Sequence, residues 1–112
     1  MGIANSQQGH ACKGNPKVVD QCFEIHGRVR VVNGAGTVIW RIGTDRKLEV
    51  EYEELVPDNF SKAMYKGKTE DIYSRDMFGD FEVCPLTKSK EGEMQMVCVE
   101  SASHLVIREN TH

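Results

Sequence analysis

Long apolar runs are missing from this chain of 112 residues. None approaches the roughly 20 residues that a membrane-crossing helix needs, which argues against an integral-membrane protein. Aromatic residues are scarce, at 7%, so stacking platforms for nucleic-acid bases must be few. The serines, histidines and aspartates are scattered, with no strand-turn-helix elbow around any serine, and the glycines of Asn33-Gly-Ala-Gly36 and Gly43 do not lead into a helix as phosphate-cradling loops do. Hydrolytic and nucleotide-binding chemistry therefore have no recognisable seat. The cysteines lack the close spacing of zinc knuckles, since nine residues separate Cys12 from Cys22 and thirteen separate Cys84 from Cys98. The stretch MGIANSQQGHACKGNPK has no apolar centre of the kind a signal peptide carries, although Met1-Gly2 is compatible with an initiator placed on a processed chain.

What is present is the composition of one ordinary globular domain, 39% hydrophobic and 28% charged. A chain of this length buries roughly two-thirds of its unfolded surface in a single core. The net charge of −3 and pI near 5.8 oppose long-range attraction to phosphate backbones. Four cysteines, an even number in a short chain, suit two disulfides in an oxidising compartment better than free thiols or a metal site.

Residues 1–20 are polar and aperiodic and read as a flexible N-terminal arm, leaving 21–109 as a single domain. From Cys22, Phe23, Ile25, Gly27, Val29 and Val31 alternate with Glu24, His26, Arg28 and Arg30, the period of a strand with one buried face. Asn33-Gly34 supplies a tight turn into Thr37–Ile42, and Lys47–Glu53 alternates again, with Leu48, Val50 and Tyr52 inward and Lys47, Glu49, Glu51 and Glu53 outward. Asp58 is placed to cap a short helix that shares Phe60, Ala63 and Met64 on one face and ends at Gly67. A fourth strand is expected within Ile72 to Pro85, bent at Gly79, and a fifth over Met94–Glu100, which Ser103–Arg108 extends or follows. The fold class is thus all-β with one short helix, and the order β1-β2-β3-α-β4-β5 is that of a small five-stranded OB-like β-barrel, whose closure removes unpaired edges. A β-sandwich or SH3-like barrel is the alternative.

The segments IHGRVRVVNG, VIWRIGT, FGDFEVCPLT and MQMVCVESASHLV, spread over Cys22 to Ile107, resemble a family of small uncharacterised bacterial exported proteins. The resemblance implies an exported, disulfide-bearing domain and transfers no catalytic motif.

In the stretch FEVCPLTKSKEGEMQMVCVESAS, a turn near Glu91 sets Cys84 opposite Cys98, Val83 opposite Val99 and Glu82 opposite Glu100. A staple across this hairpin is geometrically reasonable, leaving Cys12 to bridge Cys22. Redox catalysis is disfavoured, because Cys84 precedes Pro85 in a strand and no Cys-x-x-Cys opens a helix. The candidate binding face comprises His26, Arg28 and Arg30, with Arg41 from the neighbouring strand and Trp40 as the aromatic beside them. Trp40, like Tyr52, falls in the inward-facing register. A charged strand face is most often merely solvated, and the glutamates of strand three repel phosphates. Cys22, Glu24 and His26 share a face too sparsely for a metal, the calcium-loop pattern is lacking, and Met64, Met77, Met94 and Met96 read as core fillers. No catalytic residue, metal or cofactor is expected. The resulting expectation is a non-catalytic, periplasmic or secreted binding or envelope-associated module for an unidentified protein or small molecule, with its oligomeric state open. The alternative is an intracellular domain gripping single-stranded nucleic acid through Arg28, Arg30 and Arg41.

Overall fold

The computed structural model describes residues 12–65 and 72–109. Five strands form, β1 (Phe23–Val32), β2 (Gly36–Arg41), β3 (Lys47–Val50), β4 (Arg75–Pro85) and β5 (Gln95–Glu109), with one helix, α1 (Asp58–Met64), between β3 and β4. The sheet closes in a ring in the order β1-β2-β3-β5-β4. Its pairs are antiparallel except β3 with β5, and β1 meets β4 to complete the circuit. Ring closure shortens the unpaired strand edges among the described residues, which limits edge-to-edge association in a small β protein.

Inward residues of all five strands make one core. Ile25, Val29, Ile39, Leu48, Met77, Phe81, Val97 and Val99 lie within it, and α1 adds Phe60 and Met64. The Phe60 ring meets Phe81 edge-on at 5.8 Å between centroids. Two glycines let the wall close tightly: a Cβ on Gly27 would stand 2.6 Å from Ile39 Cγ2, and one on Gly79 would stand 2.6 Å from Leu105 Cδ2 and 3.0 Å from the Ser103 carbonyl.

The helix differs in detail from its expected form. Pro57 takes the N-cap position, its carbonyl accepting from Ser61 N, so Asp58 is already helical and its side chain caps nothing. Asp58 instead suits the positive end of the helix dipole. Gly67 lies outside the described residues. The C-terminal carbonyls of Ala63 and Met64 accept from Arg75 Nη1 at 3.2 and 2.7 Å, which explains how an arginine on β4 can be buried. β3 is also shorter than expected. Tyr52 adopts a left-handed backbone, φ 58°, and leads into a 3-10 turn, Glu53–Leu55. Tyr52 therefore leaves the inward register and packs beside the cysteines, while Glu53 Oε2 accepts from Thr37 N.

β5 is one continuous strand, and two bulges interrupt its pairing with β4, between Phe78 and Asp80 and between Glu82 and Val83. The second makes Ser101, not Glu100, the partner of Glu82. Glu100 is the extra residue and is buried beside Cys12 and Cys84. At the first bulge His104 takes φ 55°, a left-handed conformation that re-aims its ring.

All four cysteines are bonded, but in a different pairing from the one expected: Cys12 to Cys98 and Cys22 to Cys84. Cys84 does stand opposite Cys98, as the hairpin register requires. The β1–β4 register, with Phe23 opposite Val83, places Cys22 beside Cys84 on the other side, and Cys84 takes that neighbour. Cys98 is left to hold Cys12. Cys12, Cys84 and Cys98 form a second, smaller core with Val18, Tyr52 and Leu86 packed around it. Residues 12–21 are bound there further by Lys13 N donating to Glu100 at 3.1 Å, by Lys13 Nζ to Glu82 at 3.2 Å, and by Val19 N to the Pro85 carbonyl at 2.9 Å.

Candidate functional site

The expected binding face divides into three places. Arg28, Arg30 and Trp40 stay together on the outside of the sheet. Trp40 faces outward rather than inward, because its cross-strand partners are Arg28 on β1 and Lys47 on β3, while Ile39 takes the inward position opposite Val29 and Leu48. The Arg28 guanidinium carbon lies 4.9 Å from the Trp40 ring centroid, Lys47 Nζ 5.5 Å and the Arg30 carbon 5.8 Å. Cations at such distances are held by the ring's electron-rich face. Arg28 also pairs with Phe78, and Phe78 with Val106, so Lys47, Trp40, Arg28, Phe78 and Val106 form one row across all five strands.

Charge along this row is only partly balanced. Arg30 donates two hydrogen bonds to Asp76, Nε to Oδ1 at 2.7 Å and Nη2 to Oδ2 at 3.0 Å. Arg28 has no such partner among the described residues, and its Nε is buried without a hydrogen bond. Arg108 adds a further cation 6.0 Å from the Phe78 ring. The acidic flank is real as well: burial raises the Glu51 pKa, and the neighbouring Glu49 charge raises it further.

His26 belongs to a second group. Its Nδ1 and that of His104 donate to the two oxygens of Asp80, at 2.7 and 2.9 Å. The His26 hydrogen bond, followed by that of His104, holds the Asp80 carboxyl below its usual pKa. Cys22, Glu24 and His26 do not assemble as a cluster. Cys12 Sγ, Cys84 Sγ and a Glu100 carboxylate oxygen lie within 4.8 Å of one another, but both sulfurs are spent in disulfides and offer no thiolate to a metal.

Arg41 occupies a third place, exposed at the end of β2, on a cleft of about 370 Å³ that it shares with Arg46 and Lys88. Sequence reasoning missed Phe78, Asp76, Asp80 and His104, whose roles depend on β4–β1 and β4–β5 pairing. It also missed Lys47, although strict alternation on β3 already put that residue outward. Among the described residues no helix is long and apolar enough to cross a membrane.

These features define a class: a small closed five-stranded sheet, doubly disulfide-stapled, with a cation-aromatic row on its outer surface. No family model, curated protein or solved structure matches the chain.

Proposed function

We propose that this chain is a non-catalytic binding module of an oxidising compartment, periplasmic or secreted, built on an OB-like closed sheet. It meets a carboxylate-bearing partner through the outer face centred on Trp40. The observation that carries this reading is the outward Trp40 with Arg28, Arg30 and Lys47 within 6 Å of its ring. Aromatics and arginines are the side chains that most often anchor interfaces. Two disulfides support the compartment, since such bonds persist where thiols are not kept reduced.

The nucleic-acid reading draws on the same residues, because cations and aromatics on an OB-type face suit single strands. Against it stand the disulfides, the net charge of −3 and the Glu49-Glu51 flank. Cations also surround Trp40, leaving its ring poorly placed for a stacking base.

Trp40 is the single tryptophan, so its emission reports directly on this face. An acidic oligo-glutamate peptide should change that emission, and Arg28→Ala should abolish the response. A salt-sensitive response to oligothymidylate alone would favour the nucleic-acid reading. Silence toward both would leave the row a solvated surface.

A further inference from the structure

We propose that the cleft beside Arg41 is a separate binding site for a small anion carried on an apolar body, a carboxylate or phosphate monoester. None of the row residues Lys47, Trp40, Arg28, Phe78 and Val106 lines the cleft, which has a volume of about 370 Å³, within the size range of small-molecule sites.

Its cationic side is built by the tight turn between β2 and β3. Arg41 N donates to the Arg46 carbonyl at 3.0 Å, bringing the two arginines together. Thr44 locks the turn from within, its Oγ1 donating to the Arg41 carbonyl at 2.9 Å and accepting from Arg46 N at 3.0 Å. The Arg46 guanidinium is aimed by Gln95, whose Oε1 accepts from Nη2 and whose Nε2 donates to the Thr87 carbonyl at 2.9 Å. Gln95 is itself only 7% exposed, so this chain of hydrogen bonds is a fixed support. Lys88 contributes the third cation from the connection between β4 and β5.

The cleft also has apolar lining, from segments that the Cys22–Cys84 disulfide ties together. Val19, Phe23 and Pro85 line it, with Val19 N bound to the Pro85 carbonyl and Phe23 next to bonded Cys22. Asp20 and Glu24 also border the cleft, giving three cations against two carboxylates. Among the described residues none of the three cations makes an ion pair with either acid, or with any other. A fixed guanidinium with spare donors, in one cleft with apolar side chains, suits a planar or tetrahedral anion whose remainder prefers to leave water.

Phenyl phosphate and benzoate are suitable probes, followed by NMR on isotopically labelled, disulfide-intact protein. Inorganic phosphate supplies the anion without the body, and benzyl alcohol the body without the anion. At least one aromatic anion should saturate shifts at Arg41, Arg46, Lys88 and residues 19–24 while leaving the Trp40 indole N–H unmoved. Which of the two binds tells carboxylate from phosphate. Inorganic phosphate and benzyl alcohol should each bind at least about tenfold more weakly, and Arg46→Ala or the exposed-loop variant Lys88→Gln should weaken binding by a similar factor. Equal binding of inorganic phosphate, indifference to both substitutions, or no saturation near ~10 mM would overturn the proposal. Because the Trp40 indole N–H is watched in the same spectra, failure here is distinguishable from failure of the outer-face reading.

Discussion

Cys84 and Cys98 stand directly opposite each other on β4 and β5, and they are not bonded to each other. Each reaches outside the hairpin, Cys84 to the start of β1 and Cys98 to the segment before it. The bridges thereby close long loops, with sequence separations of 62 and 86 residues, where a hairpin staple would have closed a short one. Long loops lose more freedom on cross-linking, so each bond stabilises the fold by about 2–4 kcal/mol on the chain-entropy view. The paired change Cys22→Ser with Cys84→Ser, and likewise Cys12→Ser with Cys98→Ser, should lower the Tm by roughly 10–20 °C in thermal unfolding. An unchanged Tm would remove the staple from the account.

At Gly79, β4 has no room for a side chain beneath the second half of β5. Gly79→Ala would press a methyl group onto Leu105 and the Ser103 carbonyl, and backbone cannot yield as a side chain does. A loss of roughly 1–3 kcal/mol is expected in denaturant unfolding. Full stability in the alanine variant would mean that β5 lies farther from β4 than described.

Tyr65 shares a 2.7 Å hydrogen bond with the buried Thr37 hydroxyl, and burial pushes its pKa up to about 12. Tyr65→Phe strands the Thr37 hydroxyl and should cost about 1–2 kcal/mol near neutral pH. The folded pKa is above that of the unfolded chain, so Tyr65's contribution is complete below pH 10 and is lost as pH rises toward about 12. Urea titrations should therefore show wild-type stability falling across that window more steeply than that of the phenylalanine variant. Parallel curves would contradict the buried position of the ring.

Asp80 gathers His26 and His104 from two strands, and its carboxyl is held below its usual pKa. A depressed carboxyl contributes stability above its unfolded value, near 3.8, and loses it as pH falls further. The stability difference between wild type and Asp80→Asn should narrow below that pH. A difference that persists unchanged in acid would assign the effect to packing rather than charge.

Legibility in the sequence followed the range of the interactions. The alternation of β1 located that strand nearly to the residue, and Leu48 and Val50 fell inward on β3, because a half-buried strand writes its pattern locally. The run Thr37-Val-Ile-Trp, with three buried residues before Trp40, carries no period, so simple alternation puts Trp40 on the wrong side. Its orientation follows from its partners Arg28 and Lys47. The bulges at Glu100 and His104 leave no mark in the sequence, yet they turn one carboxylate toward the disulfides and one imidazole toward Asp80. The hairpin register of Cys84 was legible; its choice of Cys22 depended on the remote β1–β4 pairing. The cleft escaped notice because Arg41, Arg46 and Lys88 converge only after the ring closes.

Disulfide mapping of the unreduced protein is the most direct measurement. Trypsin cuts after Lys13, Lys17, Arg28, Arg75, Lys88, Lys90 and Arg108 place the four cysteines on four different peptides. Mass spectrometry should find the Cys12 peptide joined to that of Cys98, and the Cys22 peptide joined to that of Cys84. Bridges from Cys12 to Cys22 and from Cys84 to Cys98 would contradict the arrangement that holds residues 12–21 in place, and four alkylatable thiols would remove the oxidising compartment as well.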